Sequence, residues 1–123
     1  MNLVRLRNDL LSLSYAFTIA VDDDYSSIVV KDFNLPPGYN WGQIPILLDL
    51  PCNYPESPPG VGQARVYVPD DLRYCGRKPD DFHDNIGPPG WAWWCYERID
   101  WDPRRDDLIS FFELLRAHMT NPI

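Results

Sequence analysis

Between Val68 and Asp102 the chain shows no hydrophobic periodicity, and Pro69, Pro79, Pro88 and Pro89 forbid a long helix there. Proline has no backbone N–H, and its ring clashes with the preceding helical turn. The regular elements therefore have to come from the two flanks. A stretch of about thirty residues without secondary structure is unusual inside a compact domain and points to function.

The N-terminal flank starts as a helix and continues as strands. Leu3, Leu6, Leu10 and Leu13 recur at helical spacing, Asn2 can cap the first turn, and Arg5, Asn8, Asp9 and Ser12 fall on the other faces. From Tyr15 the pattern becomes β-rich: YAFTIAV, the turn DDDYSS, IVVKDF, the loop LPPGYNWG and IPILLDLP. A fourth short strand, Ala64 to Val68, is expected after the proline-rich link NYPESPPGVG. The tight acidic turn favours antiparallel neighbours, so the expectation is a four-stranded meander. In the C-terminal flank Asp102 can cap a helix with Pro103 at its first position and Asp106 and Asp107 in its first turn. Leu108, Phe111, Phe112, Leu115 and Met119 then form one apolar face. The fold class expected is α+β, in one domain spanning residues 1–123.

Charge and cysteine usage narrow the partners. A net charge of −7 opposes sequence-independent binding to nucleic acid, which needs a Lys/Arg surface to neutralise phosphates. Cys52, Cys75 and Cys95 cannot all pair within one chain, and no CxxC or paired-histidine grouping typical of zinc accompanies them. They read as reduced thiols in a cytoplasmic protein with no metal and no cofactor. Arg5 and Arg7 ahead of the run Leu10 to Val21 faintly resemble a signal peptide, but Asp9, Ser12 and Ser14 weaken that pattern. No segment has the length of a membrane span, so no membrane partner is expected.

Chemistry concentrates in HDNIGPPGWAWWCYERIDWDP, residues 83–103. A His-x-Asn turn, a cysteine in an aromatic run and a Trp-Asp-Pro sequence supply parts for thioester chemistry: a soft nucleophile, an amide donor for an oxyanion, and a rigid frame.

The order of these parts resembles the ubiquitin-conjugating (E2, or UBC) fold. The matching features are the helix NDLLSL, strands up to Leu50, Tyr54-Pro55 with Pro58-Pro59, His83-Asp84-Asn85, Cys95, Trp101-Asp102-Pro103 and the helix to Met119. LPPGYN, IPILLDLPCNYP and WDPRRDDLISFFELLRAHM resemble the compact bacterial E2-like proteins of ubiquitin-like conjugation systems, some linked to phage defence. Two departures stand out. The usual His-Pro-Asn is His-Asp-Asn here, and Cys95 lies about two residues nearer the Trp than the usual cysteine. A gap-free match puts Trp93 in the cysteine's place, yet a displacement of two along an extended segment keeps the same face.

The resemblance implies a conjugating enzyme in which Cys95 carries a ubiquitin-like protein as a thioester and passes it to an acceptor nucleophile. It implies Asn85 as oxyanion donor, His83 as a loop brace rather than a base, and Arg5 and Arg7 on the helix edge offered to an E1-like activating enzyme. A deubiquitinase-like protease is a further expected partner. Asp84, Glu97 and Asp100 are candidates to orient an incoming lysine or are solvated charge. Trp91 and Trp93, with Trp94 and Trp101, are a loop anchor or part of a docking surface. Cys95 itself is either the nucleophile or a buried structural thiol. The corresponding alternative function is an inactive E2-like binding module for a ubiquitin-like protein or an E1-like partner. A third reading makes Cys75, beside Arg73, Arg77 and Lys78, or Cys95 the thiol of an unrelated enzyme paired with His83.

Overall fold

Asn2 starts the first helix: its side-chain oxygen accepts the Arg5 N–H at 3.0 Å in the computed structural model, which describes residues 1–96 and 99–123. Helix α1 runs Leu3–Ala16 and buries Leu6, Leu10 and Leu13, while Leu3 is exposed. It continues past the expected strand start. Tyr15 points to solvent and the Phe17 N–H still donates to Leu13 O, so strand pairing in YAFTIAV begins only at Ile19, while the Phe17 ring packs on the core beside Phe33 and Phe112.

The strands that follow are β1 (Ile19–Val21), β2 (Ser27–Asn34), β3 (Gln43–Asp49) and β4 (Val66–Pro69), paired in sequence order as an antiparallel meander. Ile28, Val30 and Phe33 of β2 and Ile44, Ile46 and Leu48 of β3 face the core. The step from Val30 to Phe33 breaks strict alternation because the β2–β3 register shifts there, one bulge re-aiming the strand.

The expected four-stranded sheet is wider than the sequence suggests. Two short strands, β5 (Phe82–His83) and β6 (Trp91–Trp94), come from the stretch without periodicity, and the order is β1-β2-β3-β4-β6-β5. A two-residue strand and a run of four apolar residues carry too little alternation to be seen locally. Pairing between segments is what makes them strands: β6 pairs with β4, Val66 opposite Trp94 and Val68 opposite Ala92, and β5 pairs with β6, Phe82 opposite Trp94.

The C-terminal helix, α2, spans Leu108–His118, not a helix from Asp102. Two aspartates compete for the cap. Asp102 N–H donates to Asp106 Oδ2 at 2.8 Å, and Asp106 N–H donates to Asp102 O at 2.7 Å, which closes a turn. Asp107 then accepts the Ser110 N–H at 2.9 Å while Ser110 Oγ accepts the Asp107 N–H at 2.9 Å, a reciprocal capping box. Leu108, Phe111, Phe112 and Leu115 are buried, each contributing about 1.5–3 kcal/mol through area removed from water. Both helices cover one face of the sheet, and the core lies between.

A polar knot joins α1 to the turn that precedes α2. Arg5 Nε pairs with Asp9 at 3.0 Å, Arg5 Nη1 donates to Pro103 O at 2.8 Å, and Nη2 donates to Asp106 O. The buried Tyr54 hydroxyl donates to the same Asp9 carboxylate, and burial followed by that bond holds the Tyr54 phenol well above its ordinary pKa. Trp101 Nε1 donates to Pro55 O at 2.7 Å, which ties the Trp-Asp-Pro sequence to the Tyr-Pro link.

Candidate active site

The segment from Asp84 to Gly90 turns back over the outer face of the sheet. Gly87 has φ +127°, and a side chain there would meet the Tyr67 ring and Trp91 O at about 3.1–3.2 Å, so both the conformation and the contact require glycine. Ile86 O accepts the Trp93 N–H at 3.1 Å. His83 pairs with Trp93 in register, their rings 4.9 Å apart. The His-x-Asn turn is thus wrapped around Trp93. Asn85 is exposed in that turn, and Asp84 is bound by Lys78, whose hydrogen bond holds its carboxyl below the ordinary range.

Alternation along β6 separates two faces. Ala92, Trp94 and Tyr96 are buried against the helices, whereas Trp91, Trp93 and Cys95 are half-buried on the outer face. Cys95 N–H donates to Asp81 O at 2.8 Å, so the pairing of β5 with β6 reaches one residue past Trp94. The thiol therefore lies on the same face as Trp93 and is not sealed in the core. Cys52 and Cys75 are exposed; Cys75 has φ +49° in a turn where Tyr74 and Arg77 exchange backbone hydrogen bonds of 2.8 and 2.9 Å.

Register also places residues that no local motif announces. One row across the outer face runs Val29, Leu47, Tyr67, Trp93 and His83. The next row starts with Ser27 opposite Asp49. Carrying the β3–β4 and β4–β6 registers one step past Val66 sets Arg65 between Asp49 and Cys95, and Asp49 N–H donates to Arg65 O at 2.9 Å. The Arg65 guanidinium lies 4.7 Å from the Trp93 ring centroid. Among the described residues, Arg65 Nε and Trp93 Nε1 are the buried side-chain nitrogens or oxygens with no hydrogen-bond partner. A buried donor left without an acceptor costs about 1–3 kcal/mol, more when charged. Burial raises the Asp49 carboxyl, with the Arg65 N–H, Tyr67 and the Arg65 charge acting the other way.

On the inner face Trp94 Nε1 donates to His118 Nδ1 at 3.0 Å. That bond assigns the proton of a neutral His118 to Nε2, which lies 3.4 Å from Asp81 Oδ2. His118 also stacks on Tyr96 at 4.4 Å. Sequence reading missed Arg65, Asp49, Asp81 and His118 because each meets the site only through strand pairing or the end of α2.

The remaining expected residues scatter. Arg5 is held in the polar knot; Arg7 is exposed, with its guanidinium 5.8 Å from the Tyr25 ring. Asp100 is exposed beside Arg105, and Glu97 lies outside the described residues. A shallow cavity of about 180 Å³ opens between Gly60, Val61, Gly62, Trp93 and Tyr96, next to the thiol's strand. A wider depression, about 600 Å³, lies away from it against Asn2, Tyr54, Pro55 and Arg104. Among the described residues no His, Cys, Asp and Glu cluster could hold a metal ion, and no helix is long and apolar enough to cross a membrane.

The sequence pattern of prokaryotic E2 family E matches residues 6–121, a span that takes in all six strands, all of α2 and most of α1. The chain belongs to that family. Comparison with curated proteins and with solved structures returns no match. The N-terminal helix, antiparallel sheet and C-terminal helix agree with an E2-like architecture, and prokaryotic E2 family E is the frame in which the Cys95 face has to be read.

Proposed function

We propose that the protein is an E2-like conjugating enzyme that carries a ubiquitin-like protein on Cys95, in a bacterial conjugation system of the kind linked to phage defence. The supporting observation is that the His83–Gly90 turn folds back onto β6, the strand that ends in a half-buried Cys95 on its outer face, in a chain of prokaryotic E2 family E.

An E1-like enzyme uses ATP to activate the C-terminal carboxyl and holds it as a thioester. The Cys95 sulfur, its proton lost to solvent, attacks that carbonyl carbon, and the E1 thiolate leaves. An amine or other nucleophile then attacks the Cys95 thioester, the Cys95 thiolate leaves, and the acceptor's proton passes to solvent. Asn85, exposed in the turn, donates its amide to the oxyanion, a contribution of about a hundredfold in comparable sites. His83 braces the turn against Trp93. Arg7 is the cation of α1 offered to the E1-like enzyme, since Arg5 is tied into the fold. Trp91 and Trp93 line the face that meets the carried protein, and a deubiquitinase-like protease reverses the linkage.

One observation favours a second reading. Trp93, not Cys95, pairs with His83 and is bonded to the turn, so the position a nucleophile occupies in a gap-free match holds an indole. An inactive binding module for the ubiquitin-like protein or the E1-like enzyme would use that aromatic face directly. Incubating the protein with an E1-like enzyme, ATP and the ubiquitin-like protein separates the two. A reductant-sensitive adduct that persists in Cys75→Ala and disappears in Cys95→Ala is expected; stable binding without any adduct would replace catalysis with the binding module.

A further inference from the structure

We propose that Arg65 is the cation that serves the Cys95 thiolate, held in place by Asp49 and by the Trp93 ring. This rests on the reading of Cys95 as the nucleophile and adds a group that the His-x-Asn motif does not contain.

Cys95 directs its N–H toward β5, at Asp81 O, 2.8 Å away. Toward β4 it is therefore in a non-hydrogen-bonded pair, where facing side chains come closest in an antiparallel sheet. The residue across that pair is Arg65, one step past Val66 opposite Trp94. Its guanidinium lies over Trp93, the outer-face neighbour of Cys95, at 4.7 Å. Stacking on an indole keeps a guanidinium oriented and weakly hydrated. Its Nε is buried without an acceptor, so a donor is available on the face where a sulfur anion would form. On the far side, the Asp49 carboxylate accepts the Arg65 N–H at 3.3 Å and fixes the backbone from which the side chain extends.

Among the described residues, the other charged or titratable groups facing this position place no cation across a strand pair from Cys95. Asp81, on the β5 side, would oppose a thiolate, but its carboxylate is turned to His118 at 3.4 Å. Tyr67 and His83 lie one row away, paired with Trp93, and Tyr96 points to the core. Arg65 would act twice: it favours loss of the thiol proton to solvent before attack, and it stabilises the same sulfur when it leaves during transfer.

The test needs no partner protein. In the full chain carrying Cys52→Ser and Cys75→Ser, Cys95 is the only thiol. Iodoacetamide alkylation is followed by intact mass against pH: a carbon–sulfur bond forms, the carbon–iodine bond breaks, iodide leaves and the thiol proton goes to buffer. Arg65→Met keeps the apolar cover on Trp93 without the charge. We expect its profile to move up by about one pH unit, with alkylation about tenfold slower at neutral pH. Arg65→Lys should restore part of the rate, which a purely structural role would not produce. Superimposable Arg65 and Arg65→Met profiles overturn the proposal. If circular dichroism shows the Met variant unfolded, Arg65→Gln carries the same comparison. An adduct with the ubiquitin-like protein but no shift would remove Arg65 and leave conjugation standing. A shift without any adduct in the parent chain would do the reverse.

Discussion

The two ends of this molecule treat buried polar groups in opposite ways. At the α1–α2 corner, Arg5 and Tyr54 both bond the Asp9 carboxylate, and Arg5 reaches across to the carbonyls of Pro103 and Asp106. At the β4–β6 face, Arg65 Nε and Trp93 Nε1 are buried without partners beside a half-buried thiol. A satisfied network stabilises one arrangement, whereas unsatisfied donors store a cost that a ligand or a developing charge can relieve. The corner is a satisfied scaffold, whereas the β6 face holds the unsatisfied donors on which the proposed chemistry rests.

The sharpest way to break that division is Asp9→Ala. It removes the acceptor of both Arg5 and the buried Tyr54 hydroxyl, so unfolding in urea should show a loss of about 3 kcal/mol, while adduct formation on Cys95 survives wherever the chain stays folded. Equal damage to both readouts would mean that the two regions are one unit. A smaller effect is expected at the start of α2. Asp107→Ala removes the side-chain acceptor of the Ser110 N–H, one half of the capping box, and should cost about 1 kcal/mol in the same titration, again without changing the alkylation profile of Cys95.

The smallest test is in pH. The Asp102 N–H holds the Asp106 carboxyl below its ordinary value, with Arg105 and Ser110 adding to it. A carboxyl lowered in the folded state contributes stability that is complete above its unfolded value, about 3.9, and lost as pH falls through the folded one. Asp106→Asn should therefore be less stable than the parent at pH 7 and lose less on further acidification below pH 4, as followed by thermal melts.

Local patterns carried the parts of the fold whose periods are long enough to read. Leu6, Leu10 and Leu13, the Asn2 cap, and Phe111, Phe112 and Leu115 are helical signals contained within a few turns. The alternation of β2 and β3 is equally visible, apart from the bulge. The α2 start was misread because Asp102-Pro103 satisfies a helix-start pattern, and only the Asp106 side chain folding back onto the Asp102 N–H diverts it. Strands β5 and β6 were invisible because Phe82-His83 and WAWW have no period of their own.

For the candidate site the division is similar. The order His83, Asn85, Cys95, Trp101 can be read from residues 83–103, and so can the two-residue displacement that keeps Cys95 and Trp93 on one face. That His83 and the turn meet Trp93, and that Arg65 lies across from Cys95, follows from β6 inserting between β4 and β5. Periodicity determined two helices and a meander, and the ordered motifs carried the resemblance to the family. Tertiary structure alone decided which side chains of other strands share a face with the thiol, because strand register is set by hydrogen bonds and core contacts between segments distant in sequence.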